Sequence, residues 1–170
     1  MLSGLRHRGS IGTTSIDEAI AHAERFVALL PADPLCMADL GSGGGLPGLV
    51  IAVRRPDVRM VLVERRLSRA DQLRRAVGAL SLGGRVEVHA GDVRTLATER
   101  SQQFDVVTAR SFGPPTTTGR WGSALLRSGG LLLVSEPPVS GGDRWPAELL
   151  EQCGLADGGL DSGIRTLRRR

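Results

Sequence analysis

The stretch Leu35-Cys36-Met37-Ala38-Asp39-Leu40-Gly41-Ser42-Gly43-Gly44-Gly45-Leu46-Pro47-Gly48-Leu49 decides the fold. An apolar run from Leu35 to Leu40, broken only by Asp39, ends in Gly41 to Gly45, where four of five residues are glycine. Pro47 opens a second apolar segment, Leu49 to Val53, closed by Arg54 and Arg55 ahead of Pro56. Physically this is a buried strand, a sharp turn and a helix that starts at the turn. Proline suits a first helical turn because its missing N–H would have no intrahelical partner there. Glycines gather where a backbone takes unusual dihedrals or lets a ligand approach closely. The pattern is that of a loop holding a nucleotide-type cofactor.

Outward from this stretch, strands and helices alternate. Ser15-Ile16-Asp17-Glu18 is a capping-box pattern, and Ile16, Ile20, Ala23 and Val27 follow at helical spacing, which predicts a helix from Ile16 to Leu30. Arg59 to Glu64 reads as a second buried strand. The next helix carries Ala70, Leu73, Val77 and Leu80 on one face, with Ser68 or Asp71 as its cap, and Gly83-Gly84 ends it. Arg85–Ala90, Phe104–Ala109 and Leu131–Ser135 read as strands three to five. Arg110 to Thr118 reads as a loop, Gly119 to Arg127 as a helix, the residues after Trp145-Pro146 as a short helix to Gln152, and Ile164–Arg168 as a terminal strand. Near-continuous apolar strands alternating with helices predict an α/β doubly wound, mostly parallel sheet covered on both faces. The expected organisation is one domain over 1–170, with a tail and short helical extension over 1–34 and a cofactor-binding core over 35–170. Residues 1–14 read as loose.

Composition narrows the class. The 170 residues suffice for a real core. The amino-terminal residues show no continuous apolar h-region, and no apolar run approaches the roughly 20 residues of a membrane span. Cys36 and Cys153 form no C-x-x-C pair, and Cys36 reads as a small buried hydrophobe. His22 and His89 have no metal-ligand spacing and read as structural, so no metal is expected. A cytoplasmic, monomeric protein is the expectation. All 22 Lys+Arg residues are arginine, for a net charge of +4, and eight of them fall between Arg54 and Arg75. That concentration fits a nucleic-acid partner, and ordinary solvated helix faces explain it equally well. Three Phe, two Trp and no Tyr argue against a base-stacking platform, although Phe112 in its loop is a candidate for stacking on a target base.

The glycines alone admit two cofactors. Gly43 to Gly48 satisfies G-x-G-x-x-G, and Glu64 lies at the distance of a ribose-binding acid. Two neighbours weigh against a dinucleotide. Asp39 would place a carboxylate near a pyrophosphate, and Pro47 removes a donor the phosphates would use. Both suit a cationic ligand without phosphate, and S-adenosylmethionine, with an ammonium and a sulfonium, is such a ligand.

The segment Ala38-Asp39-Leu40-Gly41-Ser42-Gly43-Gly44-Gly45-Leu46-Pro47-Gly48 resembles the first motif of class I S-adenosylmethionine-dependent methyltransferases. More narrowly it is similar to the family once called glucose-inhibited division protein B, the small-subunit ribosomal RNA methyltransferases (RsmG) that methylate guanine N7 in 16S RNA. The likeness continues through Leu62-Val63-Glu64-Arg65-Arg66 and Phe104-Asp105-Val106-Val107-Thr108-Ala109-Arg110-Ser111, over residues 15 to 135. It implies a Rossmann-like methyltransferase fold, S-adenosyl-L-methionine as cofactor and 16S rRNA or the small ribosomal subunit as partner. It further implies that Gly41, Ser42, Gly43 and Gly45 pack against the methionine part and that Asp39 lies near its ammonium. Glu64 would take the ribose hydroxyls, Asp92 and Val93 would flank the adenine, and Arg110 would stand where the donor methyl emerges, as a positioning residue. The family pattern has a basic residue after strand five, where this chain reads Ser135-Glu136.

The lack of an acid/base dyad is compatible with that chemistry, because guanine N7 has a free lone pair and no proton to lose. Three alternatives stay open at this level: a methyltransferase of the same fold acting on a small molecule or protein, a noncatalytic cofactor-binding module on the ribosome, and a dinucleotide oxidoreductase.

Overall fold

The computed structural model describes residues 15–138 and 143–170. The loose tail expected over 1–14 lies outside them. The elements in order are α1 (Ile16–Ala28), β1 (Cys36–Leu40), α2 (Gly48–Arg54), β2 (Arg59–Glu64), α3 (Leu67–Ala79), β3 (Val86–Ala90), α4 (Val93–Glu99), β4 (Phe104–Ala109), α5 (Pro115–Leu125), β5 (Leu126–Ser135), α6 (Ala147–Gln152), β6 (Leu155–Asp161) and β7 (Ile164–Arg169). The strands form one sheet in the order β3-β2-β1-β4-β5-β7-β6. Strands β1 to β5 pair in parallel, whereas β7 runs antiparallel to both β5 and β6. The sheet is therefore doubly wound and mostly parallel, as the alternation of elements predicts. Strand order turns back between β1 and β4, which opens a crevice at the carboxyl ends of the strands, where such sheets bind ligands.

Period-two alternation on the strands assigns the two cores. Met37, Met60, Leu62, Val106 and Leu133 face Phe26, Leu49, Ile51, Leu73 and Val77 from α1, α2 and α3. Ala38, Leu40, Val61, Val63, Val107 and Leu132 face Leu96, Leu125, Trp145 and Leu150 from the α4, α5 and α6 side. Each buried Leu, Val or Phe contributes roughly 1.5–3 kcal/mol against leaving it in water. The helix caps follow local chemistry. Ser15 completes the capping box with Glu18, each side chain accepting the other residue's backbone N–H at 3.1 Å.

Several boundaries differ from the sequence reading, each for a physical reason. Helix α5 starts at Pro115, inside the stretch read as loop, because prolines fit a first helical turn. Strand β5 starts at Leu126 and includes Gly129-Gly130 next to an irregularity in its pairing with β4. Helix α3 has Arg66 as its N-cap with no side-chain cap bond, so neither Ser68 nor Asp71 caps it. Strand β6 escaped the reading altogether: beyond Leu155 it is mostly exposed and carries Gly158-Gly159, so it has no apolar alternation to see. Cys36 is partly exposed rather than buried, and its amide donates to the Asp105 carboxylate at 2.6 Å.

Helix α2 comes unusually close to the sheet. A Cβ on Gly48 would stand 2.4 Å from Leu62 Cδ2 and 2.8 Å from Asp39 Oδ2. Gly48→Ala is expected to cost about 1–3 kcal/mol of unfolding free energy by overpacking. Gly83→Ala, whose Cβ would meet nothing within 4 Å, should be near neutral, and urea denaturation of the two variants beside the parent checks the contrast.

Candidate functional site

The glycine-rich loop leaves β1 through three residues in the left-handed region, Gly41 at φ +67°, Gly43 at +50° and Gly45 at +91°. Two of these positions also require the absence of a side chain. A Cβ on Gly41 would reach Phe112 Cδ2 at 3.0 Å, and one on Gly45 would clash with Leu49 Cδ1 at 2.3 Å. Backbone bonds then draw the loop onto β2: the Ser42 amide donates to the Val63 carbonyl at 2.9 Å, and the Ser42 hydroxyl donates to the Asp39 carbonyl at 2.9 Å. Glu64 completes the tie from the end of β2. Its Oε2 accepts from the Gly43 amide at 3.1 Å and its Oε1 from the Arg66 amide at 2.8 Å. One carboxylate thus holds both the first loop and the turn into α3.

Beneath the loop lies Asp39, 1% exposed. Parallel register sets Thr108 of β4 opposite it, and the Thr108 hydroxyl donates to Asp39 Oδ1 at 2.7 Å. Asp39 Oδ2 has no hydrogen-bond partner among the described residues. The Gly48 amide acts on the carboxylate electrostatically without meeting hydrogen-bond geometry. Burial dominates and pushes the Asp39 carboxyl up to about 6, against the smaller opposing pull of the Thr108 and Ser42 hydroxyls, the Gly48 amide and Arg110.

Two cavities open above this foundation. The first, about 470 Å³, is walled by Gly41, Glu64, Asp92, Val93, Phe112 and Trp121, with four arginines, Arg65, Arg66, Arg69 and Arg94, about it. Its volume falls in the roughly 300–1,000 Å³ range of small-molecule sites. Glu64 is 5% exposed and keeps free lone pairs after its two backbone bonds. Asp92 caps α4 by accepting from the Arg94 amide at 2.9 Å and also pairs with the Arg94 guanidinium, which holds its carboxyl below the usual carboxylate range. Val93, Phe112 and Trp121 supply apolar surface suited to an adenine ring.

The second cavity, about 550 Å³, lies on the other side of Ser111 and Phe112, which line both. Arg110 faces it, half-buried and without a hydrogen bond or ion pair among the described residues; desolvation pulls its guanidinium down, against the attraction of Asp39. From α1 comes His22, whose Nε2 lies 2.9 Å from Ser135 Oγ. Burial, then Arg110 and Arg25, lower the His22 pKa, so the imidazole is neutral at physiological pH. Glu136 accepts from the Trp145 indole N–H at 2.6 Å and pairs with Arg144. Its charge is therefore engaged, and the guanidinium it holds belongs to the cavity wall.

Of the residues singled out in the sequence, Gly41, Glu64, Asp92 and Val93 meet in the first cavity and Arg110 stands in the second. Asp39 lies beneath the loop and Ser42, Gly43 and Gly45 belong to it, and none of the four lines either space. The sequence reading missed Trp121, Thr117, Arg144 and Ser135, and it took His22 for a structural residue. Trp121 carried a usable signal as one of two tryptophans, whereas a lone His on an amphipathic helix carries none.

The buried Asp39 has a thermodynamic signature. Its folded pKa of about 6 exceeds the ordinary 3.8, so the folded state holds the proton more tightly. Its contribution to stability is fully present below about pH 4 and is lost as pH rises through about 6, by on the order of 3 kcal/mol. Urea denaturation across that window should show this loss in the parent chain relative to Asp39→Asn, in which the pH dependence from this site disappears.

Comparison with known proteins agrees with the geometry. The model of the GidB family, described as rRNA small subunit methyltransferase G, matches residues 3–136. The ribosomal RNA small subunit methyltransferase G of Mycolicibacterium gilvum is 40% identical over 103 residues, covering 58% of this chain and 43% of the relative. That of Thermobifida fusca is 41% identical over 113 residues, covering 66% and 44%. The chain thus spans less than half the length of these curated relatives. Among solved structures, a protein from Agrobacterium tumefaciens described as a predicted O-methyltransferase superposes with a TM-score of 0.61 at 27% identity, covering 84% of this chain and 77% of that one. The sheet is accordingly the Rossmann-like methyltransferase sheet, and with most of its length matched by one family model, the chain belongs to the GidB family of rRNA small subunit methyltransferases G.

Proposed function

We propose that this protein is an S-adenosylmethionine-dependent methyltransferase that transfers a methyl group to guanine N7 of 16S ribosomal RNA, acting as a cytoplasmic, single-domain monomer. The observation that carries the reading is the pair of cavities that share Ser111 and Phe112 in their walls, at the carboxyl ends of β1, β2, β4 and β5. A donor in the first cavity and an acceptor in the second meet across that wall.

The residues fit the cofactor. The Glu64 carboxylate has lone pairs for two ribose hydroxyls, and Val93, Phe112 and Trp121 enclose an adenine while Asp92 accepts from its exocyclic amine. Of the loop glycines, Gly41 presents its backbone to the first cavity with no side chain in the way. Asp39 acts from beneath: a buried, under-partnered carboxylate in a low-dielectric setting attracts a cationic group over several ångströms. S-Adenosylmethionine supplies an electrophilic methyl on a sulfonium. On the acceptor side, N7 keeps its lone pair at neutral pH, so the protein has no proton to remove and catalysis rests on positioning. Arg110 and the neutral His22 stand at the second cavity to orient the base, with Arg110 as positioning residue. Glu136 is committed to Arg144 and Trp145, so it leaves the acceptor space basic, as a nucleic-acid substrate requires, and does not favour a small-molecule acceptor.

Calorimetry with S-adenosylhomocysteine, which keeps the ammonium, tests the cofactor assignment. Ligand charge stabilises ionised Asp39, so affinity should rise as pH increases through about 6 and should lose that dependence in Asp39→Asn. Glu64→Ala should weaken binding about tenfold or more; NAD binding more tightly than the thioether would reject the assignment. For the substrate, mass spectrometry of 16S rRNA from cells lacking the gene should show one N7-methylguanine lost, and an unchanged map would exclude it.

A further inference from the structure

The arginines of this chain divide into two populations. Arg54, Arg55, Arg74, Arg94, Arg100, Arg127, Arg144 and Arg165 each pair with a carboxylate, and Arg25, Arg85, Arg168 and Arg169 donate to backbone carbonyls. Arg65, Arg66 and Arg69 do neither through their side chains among the described residues, nor do Arg59, Arg75, Arg110, Arg120 and Arg170, but of these eight only the first three border the first cavity. The segments outside the described residues, 1–14 and 139–142, contain no Asp or Glu, so they bring no carboxylate to neutralise them. Around the cavity four guanidinium groups face only two carboxylates, Glu64 and Asp92, and Asp92 is matched by Arg94, with Arg65 a weaker and more distant attraction.

The placement is costly for folding. These arginines stand at the amino-terminal end of α3, which has no acidic residue in its first turn and no side-chain cap. Cations at that end oppose the helix dipole. Between them Leu67 is 68% exposed, an apolar surface set among charges. The rim is exposed at Arg65 and Arg66 and half-buried at Arg69, and a cationic rim free of ion pairs beside an apolar patch is what a phosphate-sugar backbone needs from a protein surface.

We propose that Arg65, Arg66 and Arg69 form a phosphate-binding edge that lays the RNA backbone across the mouth of the cofactor cavity, with Leu67 against the sugar face. This rests on the reading of the substrate as RNA and adds where that RNA lies: bound RNA covers the adenosine end of the cofactor while the target base enters the second cavity. Guanidinium forks bind phosphate oxygens in pairs.

The test uses the full-length protein and a 16S RNA fragment, with affinity followed by fluorescence anisotropy over a salt series and S-adenosylhomocysteine affinity by calorimetry. The variant Arg65→Gln/Arg66→Gln/Arg69→Gln should bind RNA at least about tenfold more weakly and show a salt slope shallower by about 2, the share of three lost phosphate contacts on a single strand. Because the three arginines also line the cofactor cavity, some loss of thioether affinity is expected, smaller than the loss of RNA affinity. The charge-keeping Arg→Lys triple variant should retain most of the slope, which guards against misfolding as the cause. The control Arg59→Gln/Arg75→Gln removes exposed arginines away from the cavity and should leave the slope nearly unchanged. An unchanged slope in the Gln triple variant, an equal loss per charge in the control, or loss of thioether binding greater than loss of RNA binding would each overturn the proposal. Salt-insensitive RNA binding by the parent protein would instead reject the RNA reading beneath it.

Discussion

The Glu64 carboxylate is the constraint on which the site depends. By accepting the Gly43 and Arg66 amides it joins two loops that belong to different βα units. Hydrogen bonds to a charged acceptor contribute about 1.5–3 kcal/mol each, enough to hold a loop whose three left-handed glycines would otherwise sample many conformations. The first cavity takes part of its shape from that tie, because Gly41 belongs to one of the tied loops and Arg65 and Arg66 to the other.

Below this tie, packing and electrostatics work against each other at Asp39. The close seat of α2 at Gly48 covers the carboxylate and excludes water, which favours its neutral form. The Thr108 hydroxyl and the more distant Arg110 favour the ionised form. A group balanced in this way is poorly suited to being a stability element and well suited to sensing a cation placed above it. Its position between β2 and β4 also links the two cavities, since Thr108 precedes Ala109 and Arg110, which reach the second.

The second cavity shows how charge at a position can mislead when read along the chain. Glu136 looks like a substitution that reverses the sign expected after strand five. In the folded chain its oxygens are taken by Trp145 and Arg144, so the guanidinium of Arg144 returns basic character to that wall. The same logic separates the arginines into those that brace the structure and those left free, a division that net charge cannot express.

Fold class was legible in the sequence because buried parallel strands are nearly continuous in apolar residues and helices show a 3.6-residue period. The glycine loop was legible because left-handed backbone forces its residue types, and Asp39 and Glu64 stood out because each is an acid near the carboxyl end of an otherwise apolar strand. Strand β6 was not, since an exposed edge leaves no apolar trace, and neither was the start of α5, since its prolines speak for both loop and first turn. Only the tertiary structure decided that His22, Ser135, Arg110 and Arg144 share one cavity, and that Asp39 lies under the loop and off its surface. The physical reason is that a sequence records the local demands of each segment, whereas these assignments depend on parallel register and on which side chains find partners across the sheet.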